Sequence, residues 1–286
     1  MRVLVAGATG FVGGHLVPHL VRRGHEVIAA GHDPARLERF SGATRLVLDL
    51  RRPDVATQLP EGLDAVVHLA QANVPFPDGA SDLFEVNTGS VQRLLEQSRR
   101  GGVGRFVYAS TASVYGGGDR PWREDDPTEG PGYYAATRQA ADRLVRAYGE
   151  VLPYVVLRLL TPYGPGQTNR LVPGLLGRVR AGRPVTLRDG GRPRMNPIYV
   201  DHVVDVFAQA LTVPPNQVVN LAGDEVLSIQ EMAETIGRVV GREPVFEQAA
   251  GDSGGDVVAD TTRLRRVFTL PPTLTAFADG VRAMLG

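Results

Sequence analysis

The sequence predicts an α/β chain, a doubly wound parallel sheet followed by a smaller α/β lobe. Three observations carry that reading. Short β-branched and apolar runs alternate with helical patterns over the first 160 positions. The first run is followed at once by closely spaced glycines. Beyond residue 160 the rhythm breaks and Pro and Gly become frequent, as in "TPYGPGQ" and "AGRPVTLRDGGRPRMNP".

The runs at 2–7 (RVLVAG), 26–30 (EVIAA), 44–50 (TRLVLDL), 64–70 (DAVVHLA), 104–110 (GRFVYAS) and 154–160 (YVVLRLL) read as strands. They are continuously apolar rather than alternating, which suits strands covered on both faces. Helical patterns at 11–23, 81–100 and 133–149 lie between them, and strand–helix–strand repetition builds a parallel sheet. Farther on, helices are expected at 170–181, 201–212, 228–240 and 273–285, with short strands near 185–187, 217–221 and 244–246.

Composition narrows the function classes. The chain has 286 residues, 43% of them hydrophobic, and a formal net charge of zero. It is long enough to build a core without staples. It lacks the basic excess that nucleic acid or an anionic membrane surface would require. There is no cysteine, so disulfides, thiolate metal sites and a cysteine nucleophile are excluded, which fits a cytoplasmic protein. The N-terminal stretch has no signal-peptide pattern, and no run reaches the roughly 20 apolar residues that cross a bilayer. His15 and His19 share a helix face, but Pro18 intervenes and no acidic third ligand is near, so no metal site is expected. Lysine is also absent, and all 31 basic residues are arginine.

Gly7, Gly10 and Gly13 follow the first strand where a helix begins. Such glycines let backbone approach a pyrophosphate, with helix-start N–H groups facing the anion. Residues 1–160 are therefore read as a dinucleotide-binding domain of Rossmann-like type. Residues 161–286 are read mainly as a substrate lobe, with some segments returning to the first domain. An NAD site usually ends its second strand in a carboxylate for the ribose 2′-OH. Here that place holds Gly31 and His32, with Arg36 a turn further on, which favours NADP over NAD. Asp33 swinging back would reverse the preference, and His32 and Arg36 also suit an ordinary solvated loop. Asp49 either reaches an adenine amino group or caps the next helix.

The chemistry-bearing stretches are "YASTASVYG" (108–116), at the carboxyl end of the fifth strand, and "GYYAATR" (132–138) on the next helix. Ligands of open parallel sheets bind outside those strand ends, so Ser110, Thr111 and Ser113 are well placed hydroxyls. Tyr134 and Arg138 sit one turn apart. A tyrosine working near neutral pH must drop about 3 units from about 10, roughly 4 kcal/mol. A fixed charge about 5 Å away, at an effective dielectric near 20, supplies roughly 3 kcal/mol. Arginine provides that charge but does not relay a proton.

With these motifs, the chain resembles the extended short-chain dehydrogenase/reductase family, of the NAD(P)-dependent epimerase/dehydratase type. The resemblance runs over nearly the whole length, through the glycine loop, "DAVVHLA", Asn87 in "FEVNTGSVQRLL", "STASVYG", "YYAATR", "LRLLTPYGPGQ", "NPIYVDHVVD" and "VVNLAGDEVLSIQEMA". It implies that Thr111 bonds the substrate oxygen, that Tyr134 transfers the proton, and that Arg138 stands where the family has lysine. Tyr133 is the alternative to Tyr134, and would put Thr137 at the lysine position. The implied cofactor site comprises Gly7, Thr9, Gly10, Phe11, Val12, Gly13, His32, Arg36, Asp49, Leu50, Leu69, Ala70 and Gln71, with Tyr134 and Arg138. Asn87 and His68 match positions read as scaffold.

The family's 4,6-dehydratases carry an Asp-Glu pair after the Thr, and its decarboxylases a Glu before "VYG". Ala112 and Ser113 stand there instead, which leaves epimerisation or ketone reduction of a sugar or nucleotide-sugar. Relatives with such substrates often have Asn before "YGP", where this chain has Thr161, and an Arg where it has Met195. A shifted Arg194, with Arg192, Arg170 or Arg178, holds a diphosphate or simply solvates the lobe. Trp122 and Glu124 contact substrate or belong to a solvated loop. By analogy a homodimer is expected through helices 81–100 and 133–149. The competing reading is a cofactor-binding protein that has lost redox turnover.

Overall fold

A computed structural model of the protein describes residues 1–251 and 254–286. Its first elements are β1 (Arg2–Ala6), α1 (Phe11–Arg22), β2 (Glu26–Gly31), α2 (Pro34–Leu37), β3 (Thr44–Val47), β4 (Ala65–His68), α3 (Ala80–Phe84), α4 (Ser90–Arg100), β5 (Arg105–Thr111), α5 (Gly132–Ala147) and β6 (Tyr154–Leu159). They are followed by β7 (Pro162–Tyr163), α6 (Leu171–Ala181), β8 (Val185–Leu187), β9 (Arg194–Met195), β10 (Ile198–Tyr199), α7 (Val200–Gln209), β11 (Gln217–Leu221), β12 (Leu227–Ser228), α8 (Ile229–Val240), β13 (Phe246–Gln248), α9 (Thr262–Val267) and α10 (Phe277–Ala283). The helix expected over 81–100 is not uniform. A π-helical turn, Glu85–Gly89, joins α3 to α4.

Seven strands form one sheet in the order β3-β2-β1-β4-β5-β6-β11. β1 pairs in parallel with both β2 and β4, as do β2 with β3 and β4 with β5. Val5 at the centre lies between Ala29 and Val67. The continuous apolar runs earn their burial here: β4 is wholly buried, and β1 is buried after Arg2. β3, at the edge, is mostly exposed. The strand order reverses between β1 and β4, and at such a switch point open α/β sheets bind ligands. The short strand expected near 217–221 joins this sheet beside β6 as β11, one of the segments beyond 160 that return to the first domain.

The chain divides into two compact units. The first comprises Met1–Val114, Thr128–Arg158 and Val204–Val219; the second comprises Tyr115–Pro127, Leu159–Val203 and Asn220–Gly286. The expected division at 160 is thus crossed by 115–127 in one direction and by 204–219 in the other. The first unit's core joins Leu4, Ile28, Val66, Phe106 and Val156 of the sheet to Leu94 of α4 and Ala141 and Val145 of α5. The second is cored by Leu175 and Leu176 of α6, Met232 and Ile236 of α8, and Phe277 and Val281 of α10. No helix among the described residues is long and apolar enough to cross a membrane.

Candidate active site

The turn from β1 into α1 is shaped for a phosphate. Gly7 adopts φ +88°, and a Cβ on it would stand 2.6 Å from the Ala70 backbone nitrogen. Only glycine allows the loops after β1 and β4 to approach so closely. A Cβ on Gly13 would likewise strike the Gly7 carbonyl and Ala8. α1 begins on Gly10 with no side-chain cap and no acidic residue in its first turn. The N–H groups of Phe11, Val12 and Gly13 therefore lack intrahelical partners and are left to an anion. Thr9 is buried, with its side chain against Gly31. Across the switch point Leu69 donates to the Ala6 carbonyl (2.8 Å), and Leu69 and Ala70 are half-buried. The residues present fit a dinucleotide.

The end of β2 shows where selectivity arises. Gly31 is buried, and a Cβ there would meet Thr9 Cγ2 at 2.7 Å, so no carboxylate side chain fits without moving Thr9. Asp33 caps α2, accepting from the Arg36 N–H (3.3 Å), and pairs with Arg36 Nε at 3.4 Å. His32 and Arg36 are exposed. Sequence reading missed Arg39, whose Nη2 donates to the carbonyls of Ala8 (3.3 Å) and Gly10 (3.4 Å) in the glycine loop. Its pKa is lowered by burial and then by repulsion from Arg36. Asp49 is bound by Arg51 through Nε (3.0 Å) and Nη2 (2.8 Å), which holds its carboxyl at about 2. Leu50 is buried, and its carbonyl accepts from Arg93 (3.0 Å).

The catalytic candidates lie on β5 and α5 of the first unit. Tyr134 is half-buried, and its phenol donates to Gln71 Oε1 (2.8 Å). Tyr133 instead stacks on Phe76, with ring centroids 4.9 Å apart. Thr111, half-buried at the end of β5, exchanges hydrogen bonds with exposed Ser113: its hydroxyl donates to Ser113 Oγ and accepts from the Ser113 N–H, both at 3.2 Å. Ser110 faces the other way, and its hydroxyl donates to Asp142 Oδ2 (3.1 Å).

Arg138 is 1% exposed. Its Nη2 donates to the Ala109 carbonyl, and its guanidinium lies 5.0 Å from the Tyr108 ring centroid. Its Nε and Nη1 are buried without a hydrogen-bond partner. Such orphaned donors are costly, and they suit the hydroxyls of a bound ribose. Burial pushes the Tyr108 phenol upward, partly opposed by Arg138. Burial, and then the Arg138 charge, hold His68 down at about 3. Ser90 Oγ donates to the Val86 carbonyl (2.7 Å), so at 2.9 Å it accepts from His68 Nε2.

Two further residues organise this site: Asn87, read from the sequence as scaffold, and Asp142, which sequence reading missed. Asn87 is fully buried in the π turn. Its amide clamps Ala72 from both sides (2.8 and 3.1 Å) and donates to Thr137 Oγ1 (3.2 Å). Asp142 is 2% exposed and forms a two-point ion pair with fully buried Arg158 (3.0 and 3.1 Å). Its spacing from Tyr134 and Arg138, at eight and four residues, is the signal that could have exposed it.

In the second unit, Trp122 stacks on Tyr115 at 5.4 Å, and buried Glu124 accepts from the Asn220 N–H (2.9 Å). Arg192 pairs with Asp256 (2.6 Å), whose Oδ1 also takes the Arg194 N–H (2.8 Å), while Arg178 donates to the Pro184 carbonyl (2.8 Å). The side chains of Arg170 and Arg194 are exposed. Thr161 takes φ +39°, and its hydroxyl rests on Met195 Sδ (3.3 Å). A β-branched residue is strained there, whereas asparagine tolerates the left-handed region. Thr161→Asn is expected to stabilise the protein by about 1 kcal/mol. A denaturant midpoint at or below the parent's would refute this.

Among the described residues, no three His, Asp or Glu side chains group as metal ligands. His15 packs edge-on against Phe11, and His19 Nε2 lies 3.2 Å from Asp205.

The model of the NAD dependent epimerase/dehydratase family matches residues 3–222. A probable UDP-glucuronate 4-epimerase of Rhizobium meliloti is 26% identical over 96% of this chain and 91% of its own. A dTDP-glucose 4,6-dehydratase of Streptomyces niveus is 30% identical over 98% and 90%. The UDP-glucuronic acid 4-epimerase of Bacillus cereus, solved with UDP-glucuronic acid and NAD, superposes with a TM-score of 0.89 at 25% identity, covering 99% of this chain and 98% of that one. The chain belongs to the NAD-dependent epimerase/dehydratase family and is an enzyme of its hydride-transferring kind.

Proposed function

We propose that the protein epimerises a nucleotide-sugar at a secondary alcohol, using NADP in preference to NAD. The carrying observation is that the Tyr134 phenol, the Thr111 hydroxyl and the buried Arg138 guanidinium all stand on α5 or the end of β5 in one unit, with Arg138 tied to the Ala109 carbonyl two residues before Thr111. A bound nicotinamide dinucleotide would supply the hydride acceptor and donor. Phe11, Val12 and Gly13 would bind its diphosphate through backbone N–H groups, and Arg138 its ribose. Tyr134 takes the hydroxyl proton as the alcohol becomes a ketone, and returns it on reduction. Thr111 holds the reacting oxygen. Arg138 takes no part in proton relay, since a guanidinium does not give up its proton.

Ala112 is buried and Ser113 carries no carboxyl, so the position after Thr111 offers no acid–base pair for eliminating water. This supports epimerisation over dehydration, although a dehydratase is among the relatives. The solved relative contains NAD. The lean to NADP rests on Gly31 at the end of β2, on Asp33 engaged with Arg36, and on Arg39 beside the loop.

The test presents purified protein with a panel of UDP- and dTDP-sugars and each dinucleotide, following epimer formation and nicotinamide absorbance. Conversion of one sugar, with tighter binding of NADPH than NADH, is the expected result. Tight dinucleotide binding without conversion of any sugar would favour a second reading, a binding protein without turnover. The tie between Arg138 and the Ala109 carbonyl is what motivates that reading. We also propose a cytoplasmic homodimer through α4 and α5. A single-chain mass in light scattering would refute the dimer, and a secreted protein in a fractionated culture the location.

A further inference from the structure

We propose that Gln71 is a positioning residue for the proton transfer, holding Tyr134 in both of its protonation states. The inference rests on the catalytic role of Tyr134 proposed above. Gln71 follows β4 on the loop at the switch point, and its Oε1 accepts the Tyr134 phenol proton at 2.8 Å. One buried side chain fixes both ends of this contact. Asn87 clamps Ala72, next to Gln71, and donates to Thr137 Oγ1, which in turn donates to the Tyr134 carbonyl (2.8 Å). The pairing is therefore built into the scaffold even though Gln71 itself is exposed.

A primary amide offers an acceptor at one end and a donor at the other. Against the neutral phenol, Oε1 accepts. Against the phenolate, a half-turn of the terminal amide presents Nε2–H. Gln71 thus complements either state without exchanging a proton; the proton that Tyr134 gains or loses passes to or from the substrate oxygen. This matters in a chain whose Arg138 is held by the Ala109 carbonyl and cannot relay protons. The titratable and charged groups that meet at Tyr108, the buried tyrosine on β5, are Arg138, Asp142 and Tyr134 itself on α5 and His68 on β4.

The experiment titrates phenolate absorbance in the dinucleotide-free protein, with Tyr134→Phe subtracted to isolate the Tyr134 signal. It then measures kcat and KM. Gln71→Leu removes donor and acceptor; Gln71→Glu keeps an acceptor and loses the donor. Both are expected to raise the Tyr134 midpoint, Gln71→Glu by about one pH unit or more because a carboxylate opposes the phenolate. Both should lower kcat by about tenfold, with KM within about twofold, the pattern of an interaction needed in the transition state. An unmoved midpoint in Gln71→Leu overturns the proposal, and so does a moved midpoint with kcat within about twofold of the parent. The absorbance titration needs no turnover. An inactive parent would therefore sink the catalytic reading separately, while the titration still tests the Gln71–Tyr134 pair.

Discussion

Tyr134→Phe is expected to abolish epimerisation, with a loss of about 10²–10⁴-fold or more, while dinucleotide affinity stays within a few fold. The substitution removes one oxygen and keeps the ring. The fold loses a single hydrogen bond to a solvent-exposed amide, worth about 1 kcal/mol. The glycine cradle does not involve that oxygen, so diphosphate binding is spared. Of the two tyrosines at the head of α5, Tyr133 is engaged face-to-face with Phe76. Its phenylalanine variant keeps that stack and should keep activity. The comparison is internal: one missing oxygen at 134 against one at 133, with circular dichroism showing both variants folded. Turnover by Tyr134→Phe within about tenfold of the parent would show that the proton moves through another group.

The sheet was legible because a strand covered on both faces carries a continuous apolar run, as residues 3–6 of β1, 65–67 of β4 and 106–109 of β5 do. The glycine loop was legible for a related reason: at Gly7 a side chain would enter the backbone of Ala70, so the constraint is written into one residue type. Non-local partners were not. β11 reads as a short apolar run wherever it docks, and only the returning chain puts it beside β6. The π turn at Glu85–Gly89 shifts the helix phase by the placement of a single extra residue, which 3.6-residue periodicity does not register. Arg138 was legible as a position and not as a geometry. Nothing in "YYAATR" says that its guanidinium would run under Tyr108 to the Ala109 carbonyl. Ser110 shows the same limit, since alternation along β5 decides that it meets Asp142 while Thr111 faces Ser113.

Asp142→Asn is expected to destabilise the protein by about 3–5 kcal/mol, because it strands the Arg158 charge in the interior. Arg158 is fully buried, and both arms of its pair end on the Asp142 carboxylate. Ser110 also gives its hydroxyl to that carboxylate (3.1 Å). A second cation, Arg146 at 3.9 Å, is half exposed and gains little from the pair. A neutral amide has the right shape but takes away the carboxylate charge that both Arg158 arms engage. The denaturation midpoint should fall while the denaturant dependence stays unchanged. Replacing both partners, as Asp142→Leu with Arg158→Met, should recover most of the loss, since neither charge then needs solvation; the Ser110 hydroxyl without its acceptor accounts for about 1 kcal/mol of what remains. The pair also lies beside the chemistry: Asp142 stands one turn from Arg138 on α5, and both act on the buried Tyr108 phenol. A stability within about 1 kcal/mol of the parent would mean that contacts other than the Asp142 carboxylate carry the Arg158 charge.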